Sequence, residues 1–147
     1  MEYRRFGEQY MIRIDRGEEV LEQLTLLCRG EKIRAGEIVG LGACDQVTMG
    51  LYNVARQSYT SRTFEGEFEI TNLTGSVSEK EGEVYLHLHI TCSGEDFSTF
   101  GGHLNACRIS GTCELWLTAL DGEIGRRHDE VTGLNVYDFL AQRGRRV

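Results

Sequence analysis

Three histidines in two short motifs are the residues of this 147-residue chain best suited to chemistry. One motif is Leu86-His87-Leu88-His89 and the other is Gly101-Gly102-His103-Leu104. Strand side chains alternate between faces, so a His-x-His pair on a strand presents both imidazoles to the same side. Residues two apart lie ~6.6 Å from each other along the strand, within reach of one metal ion held at ~2.0–2.1 Å from each nitrogen. His103 close by would complete three-nitrogen capture of zinc or another divalent ion. Three protein ligands leave a fourth position for water or a substrate oxygen, the arrangement that separates catalytic from structural zinc sites. An exposed histidine face, or interface histidines without metal, would give the same pattern.

In the run Glu83 to Cys92, Val84, Leu86, Leu88 and Ile90 alternate with Tyr85, His87, His89 and Thr91. The first set is the core face, so the histidines point away from it, toward a cleft or a subunit interface. Gly101-Gly102 reads as a tight turn that swings His103 back against this strand, because glycine adopts backbone shapes closed to other residues. A nearby carboxylate could move protons for a metal-bound substrate, and Glu69 and Glu114 are the catalytic candidates. Both also read as surface or structural residues. His128, among Arg126, Arg127, Asp129 and Glu130, reads as a surface histidine. No GxSxG, HExxH or P-loop occurs, and Gly40-Leu41-Gly42-Ala43 lacks the third glycine and following helix of a dinucleotide loop.

The elements that must carry these residues are mostly strands. Tyr10–Ile14 reads as a strand. Asp15 with Glu18 has capping-box spacing, and Val20, Leu21, Leu24, Leu27 and Cys28 form one apolar helical stripe ending before Gly30. Glu37 to Asn53 predicts two strands bent at glycines. Gln57–Phe64 and Glu67–Val77 follow, then a turn at Ser78–Gly82 and the histidine strand. Arg108-Ile109 and Thr112–Ala119 are further strands, with Trp116 expected in the core. Asp121-Gly122 is a hairpin signal, and Val136–Gln142 fits a short C-terminal helix. The fold class expected is α+β: a single domain over 1–147, with a core about 10–120 and a basic tail about 136–147. It is a mostly antiparallel sheet with one early helix and a short C-terminal one.

Composition narrows the partners. Hydrophobic residues make up 40% of the chain, enough for a packed core rather than disorder. No apolar run approaches the ~20 residues needed to cross a bilayer, and Met1–Phe6 has no signal-like apolar stretch, so a cytoplasmic protein is expected. Five cysteines, an odd number without a CxxC pair, read as free thiols; Cys44, Cys92, Cys107 and Cys113 sit in apolar runs where cysteine acts as a small hydrophobe. The net charge of −7 opposes a broad phosphate-gripping face. The basic residues cluster at Arg126-Arg127 and at Arg143-Gly144-Arg145-Arg146.

The order of segments resembles the PPC (plants and prokaryotes conserved) domain, the PD1-like DNA-binding family. Its landmarks are Gly17–Leu21, Gly40–Ala43, Leu73–Val77, the two histidine motifs and Thr112–Leu115. The resemblance implies an α+β fold, a homotrimer, a DNA-associated or regulatory role, and a metal site at His87, His89 and His103 with zinc the expected ion. It also implies a likeness in fold to acetolactate decarboxylase. A metal-dependent enzyme or small-molecule binder of that lyase type is therefore the alternative, with the small molecule bound at the metal. Arg143-Gly144-Arg145 is similar to the core of the AT-hook that precedes this domain in plant members, with Arg146 in place of the proline. The plant Gly-Arg-Phe-Glu motif is replaced by Gly102-His103-Leu104.

Overall fold

The computed structural model describes residues 1–140. Alternating apolar and polar residues dominate the chain, and they form strands β1 (Glu2–Phe6), β2 (Gln9–Asp15), β3 (Gly36–Asn53), β4 (Ser58–Lys80), β5 (Glu83–Ser93), β6 (Thr99–Ala119), β7 (Gly125–Asp129) and β8 (Leu134–Asp138). A single helix among the described residues, α1 (Val20–Gly30), lies between β2 and β3. The strands named here pair antiparallel, apart from one parallel contact of β4 with β7 at Glu79 and Gly125. The four long strands pair in a closed cycle: β3 with β4, β4 with β5, β5 with β6, and β6 back onto β3. β2 and then β1 extend the sheet from the C-terminal half of β6.

The inward face of this cycle is the core. Leu73, Leu88, Ile90, Cys92, Leu115 and Leu117 are buried there. Helix α1 adds Val20, Leu24, Leu27 and Cys28, the expected stripe, and packs against β5 and β6. The five cysteines are all buried and free. Burial pushes the Cys28 and Cys113 thiols up to about 12, so they behave as small hydrophobes rather than nucleophiles.

Several local expectations are corrected. The helix starts at Val20, with Glu19 as its cap, not at Asp15. Gly17 has φ +86, outside the helical region, and breaks the stretch between them. Asp15 and Glu18 instead close a turn, in which Glu18 Oε2 accepts from Asp15 N at 2.8 Å. The run Gly36–Asn53 is one strand, as is Ser58–Lys80; register shifts at Gly40/Gly42 and Cys44/Gln46 bend β3 without ending it. The β4–β5 turn is tighter than expected. Lys80 pairs with Glu83, and Glu81 and Gly82 have φ 56 and 85, the two-residue form that matches strand twist.

Trp116 is 41% exposed, because β6 turns odd-numbered residues such as Leu115 and Leu117 inward and Trp116 outward. Asp121-Gly122 does not form a hairpin with β6. The chain there crosses to β7, whose hairpin partner is β8. The expected C-terminal helix is absent at Val136–Asp138, which belongs to β8; Gln142 and the arginines from Arg143 onward lie outside the described residues. Alternating pairing to Gly125–Asp129 overrides the weak helical pattern of this stretch.

Glu19 ties the helix to the sheet. Its Oε2 accepts from Glu22 N at 2.7 Å and its Oε1 from Cys107 N at 2.9 Å. Glu19→Ala removes a cap and leaves a strand N–H without its partner, and is expected to cost about 1–3 kcal/mol in urea unfolding. A loss of only a few tenths would show that water replaces both bonds.

Candidate metal centre

Strand register assembles the histidines. His87 and His89 lie on β5 on the face opposite buried Leu88 and Ile90. His89 is directly opposite His103 on β6, and residues so paired share a face. The three rings stand 5.1–5.5 Å apart, centroid to centroid. One nitrogen from each lies within 4.8 Å of the others. A tetrahedral ion with ~2.0–2.1 Å bonds holds its ligand atoms ~3.3 Å apart, so small ring rotations close the site. The three residues fit a zinc-like ion in number, type and spacing.

Gly101 and Gly102 do not form the expected turn. They lie within β6, opposite Thr91 and Ile90, and the chain reverses earlier, over Ser93–Ser98. Glycine is required there by close approach. A Cβ on Gly101 would stand 2.7 Å from Ile90 O, and one on Gly102 would stand 2.8 Å from Gly50 O. The glycine pair lets β5, β6 and β3 close around His103, which pairs with Gly50 on its other side.

The histidines line a cavity of about 770 Å³. One wall comes from β3 and β4, with Leu51, Tyr52 and Tyr59. The Tyr59 ring stands edge-on to His103 at 6.3 Å, and its hydroxyl donates to Asn105 Oδ1 at 2.6 Å. The other wall is the β7–β8 hairpin, which lies over the outer face of β4 and β5. Arg126 pins it there. Its Nε donates to Ser78 Oγ at 2.7 Å and its Nη1 to the Asn135 carbonyl at 2.8 Å. The guanidinium carbon lies 4.6 Å from the Tyr85 ring centroid and 4.5 Å from that of Tyr137.

Burial lowers the basicity of the site. It holds His87 down to about 4, with the nearness of His103, Arg126 and His89 acting the same way. His103 is lowered by burial and by His89. Both rings are therefore neutral at neutral pH and present free lone pairs, the form a metal needs.

Glu69 and Glu114 are not brought to this centre. Glu69 is exposed opposite Ser93, four residues beyond His89 on β5 and so ~13 Å along the strand. Glu114 is exposed opposite Arg13 and Leu41. No Asp or Glu lines the cavity among the described residues. His128 is exposed on β7 and also lies outside it. Sequence reasoning missed Arg126, Tyr85 and Tyr137. Arg126 reads as half of a solvated Arg-Arg pair until β7 is seen as a strand, on which Arg126 turns inward and Arg127 outward.

The Plants and Prokaryotes Conserved (PCC) domain model matches residues 1–121. The chain belongs to this family. A candidate DNA-binding protein of Bacteroides thetaiotaomicron is 35% identical with a TM-score of 0.91, covering 94% of this chain and 96% of its own. A metal-containing protein of Archaeoglobus fulgidus is 29% identical with a TM-score of 0.84, covering 92% of this chain and 96% of its own. Acetolactate decarboxylase from Bacillus subtilis shares the fold at 16% identity and a TM-score of 0.54, covering 79% of this chain and 54% of its own. No curated protein matches the chain.

The depressed basicity of His87 and His103 has a measurable consequence. Three ordinary histidines would release roughly two protons on metal capture at pH 6. Here His87 carries no proton at that pH and His103 carries less than usual, so fewer are displaced. Calorimetry of zinc binding at pH 6 in buffers of different ionisation enthalpy is expected to find fewer than two protons displaced; two or more would mean the rings are solvated in the metal-free protein.

Proposed function

We propose that this chain is a zinc-binding PPC-domain protein, folded as one unit, acting in the cytoplasm as a homotrimer with a DNA-associated regulatory role. His87, His89 and His103 are the metal ligands. The observation that carries this reading is the convergence of three imidazoles, two of them held neutral, on one cavity. The metal-containing relative from Archaeoglobus supports it.

Assembly is supported by the outward face of the sheet. Cross-strand pairing sets Met11, Trp116, Val39, Thr74, His89 and His103 in one row from β2 to β6. Met11, Trp116 and Val39 are 48%, 41% and 39% exposed, an apolar strip leading toward the histidines that a second copy of the chain would cover. The DNA-associated role is supported by the naming of the Bacteroides relative. At a net charge of −7 it depends on local arginines such as exposed Arg127 and the Arg143–Arg146 segment, summed over three copies.

A second reading, a small-molecule metalloenzyme or binder, is favoured by the cavity itself, whose size is that of a ligand pocket. A divalent ion held there polarises a carbonyl or lowers the pKa of bound water. The chain's own residues shape the pocket with aromatic walls from Tyr52, Tyr59, Tyr85 and Tyr137.

Protein purified without an affinity tag is expected to carry about one zinc per chain, lost in a His87→Ala/His89→Ala variant that still folds, and to scatter light as three times the 16.6 kDa chain. A folded, metal-free native protein would contradict the metal reading. Retention of duplex DNA that weakens with added salt is expected for the DNA-associated role, and its absence at low salt would contradict that part alone.

A further inference from the structure

Among the described residues Arg126 is a cation without a carboxylate partner. In a chain of 23 Asp and Glu against 16 Lys and Arg, such pairing is easy to arrange, and exposed arginines here show it: Arg13 with Asp15, Arg29 with Glu83, Arg108 with Asp45. Arg126 instead donates to neutral oxygens of Ser78, Asn135 and, more weakly, Ser76 at 3.4 Å. A guanidinium has five N–H donors. Those three bonds leave two without a partner among the described residues. Stacking between Tyr85 and Tyr137 fixes its plane. The result is a preorganised positive charge in the wall of the cavity that the histidines line, and among the described residues no Asp or Glu lines that cavity to compensate it.

We propose that the cavity binds a small carboxylate with an apolar body, its carboxylate on Arg126 beside the three-histidine site and its body against Leu51, Tyr52 and Leu134. This rests on the metal reading for the site's second point of attachment, since a divalent ion on neutral imidazoles would make the pocket more positive still. The planar fork of arginine matches a carboxylate. A phosphate monoester, more highly charged and more hydrated, calls for further donors. The cavity lining contains no lysine, and α1 does not contribute to it. Its volume of about 770 Å³ exceeds what a bare anion needs, and its aromatic and aliphatic walls suit a body of several carbons.

The test is a titration of phenylpyruvate, with its methyl ester as the uncharged control, into wild-type protein with and without zinc. The acid is expected to bind the zinc-loaded protein about tenfold or more tightly than the ester. Arg126→Gln is expected to remove that preference while zinc uptake is unchanged, because Arg126 is not a ligand. Equal binding of acid and ester, or a folded Arg126→Gln protein that keeps the preference, would overturn the proposal and leave the metal reading standing. If Arg126→Gln fails to fold, the acid-to-ester ratio of the zinc-free wild type decides, because zinc itself attracts a carboxylate. If zinc is not taken up, the metal reading falls, and the zinc-free titration then decides: acid preferred over ester supports the role of Arg126, and no preference overturns it.

Discussion

The pairing of β5 with β6 is the constraint on which the rest depends. His89 faces His103 because Ile90, Thr91 and Cys92 pair with Gly102, Gly101 and Phe100 in one register. A slip of one residue would turn His87 and His89 into the core and bring Leu88 and Ile90 out. The core therefore fixes the site. Leu88 and Ile90 are 1% exposed, and that one-residue slip would unbury both. Fully burying a leucine or isoleucine side chain is worth about 1.5–3 kcal/mol, so the slip is opposed several-fold over.

The same pairing closes the cycle of long strands. Gly102 allows β6 to approach β3 at Gly50 while still pairing with β5, and His103 sits at that junction. The site lies where three strands meet rather than on a flexible loop, and strand pairing sets the spacing of the imidazoles. The β7–β8 hairpin then adds the second wall, carried across by Arg126 to Ser76 and Ser78 of β4. Ser78, fully buried yet on the outward parity of its strand, is buried because this hairpin covers it.

Much of this was legible in the sequence. The alternation Val84-Tyr85-Leu86-His87-Leu88-His89-Ile90 assigned both the strand and its faces, since a period of two has one reading. The stripe from Val20 to Cys28 did the same for α1. Glycine was the weak point. Gly40 and Gly42 read correctly as bends, though of two strands rather than one, and Gly101 and Gly102 read as a turn; in this fold the latter pair marks close backbone approaches inside a continuous strand, which depend on neighbours the sequence does not name. Trp116 was misplaced although the local alternation points it outward: Cys113, Leu115 and Leu117 take the inward face, which leaves Glu114 and Trp116 on the other. The C-terminal hairpin was missed because its short strands are held by contacts to β4 and β5 rather than by local pattern. With it went Arg126, and so half of the cavity.

X-ray absorption of the zinc-loaded protein tests the central claim most directly, because it reads the atoms bound to the ion. The account predicts three imidazole nitrogens at ~2.0–2.1 Å with a fourth light-atom ligand, falling in number when His103 is replaced by alanine. Sulfur ligands at ~2.3 Å, from the buried cysteines, or a zinc environment that His103→Ala leaves unchanged, would contradict it.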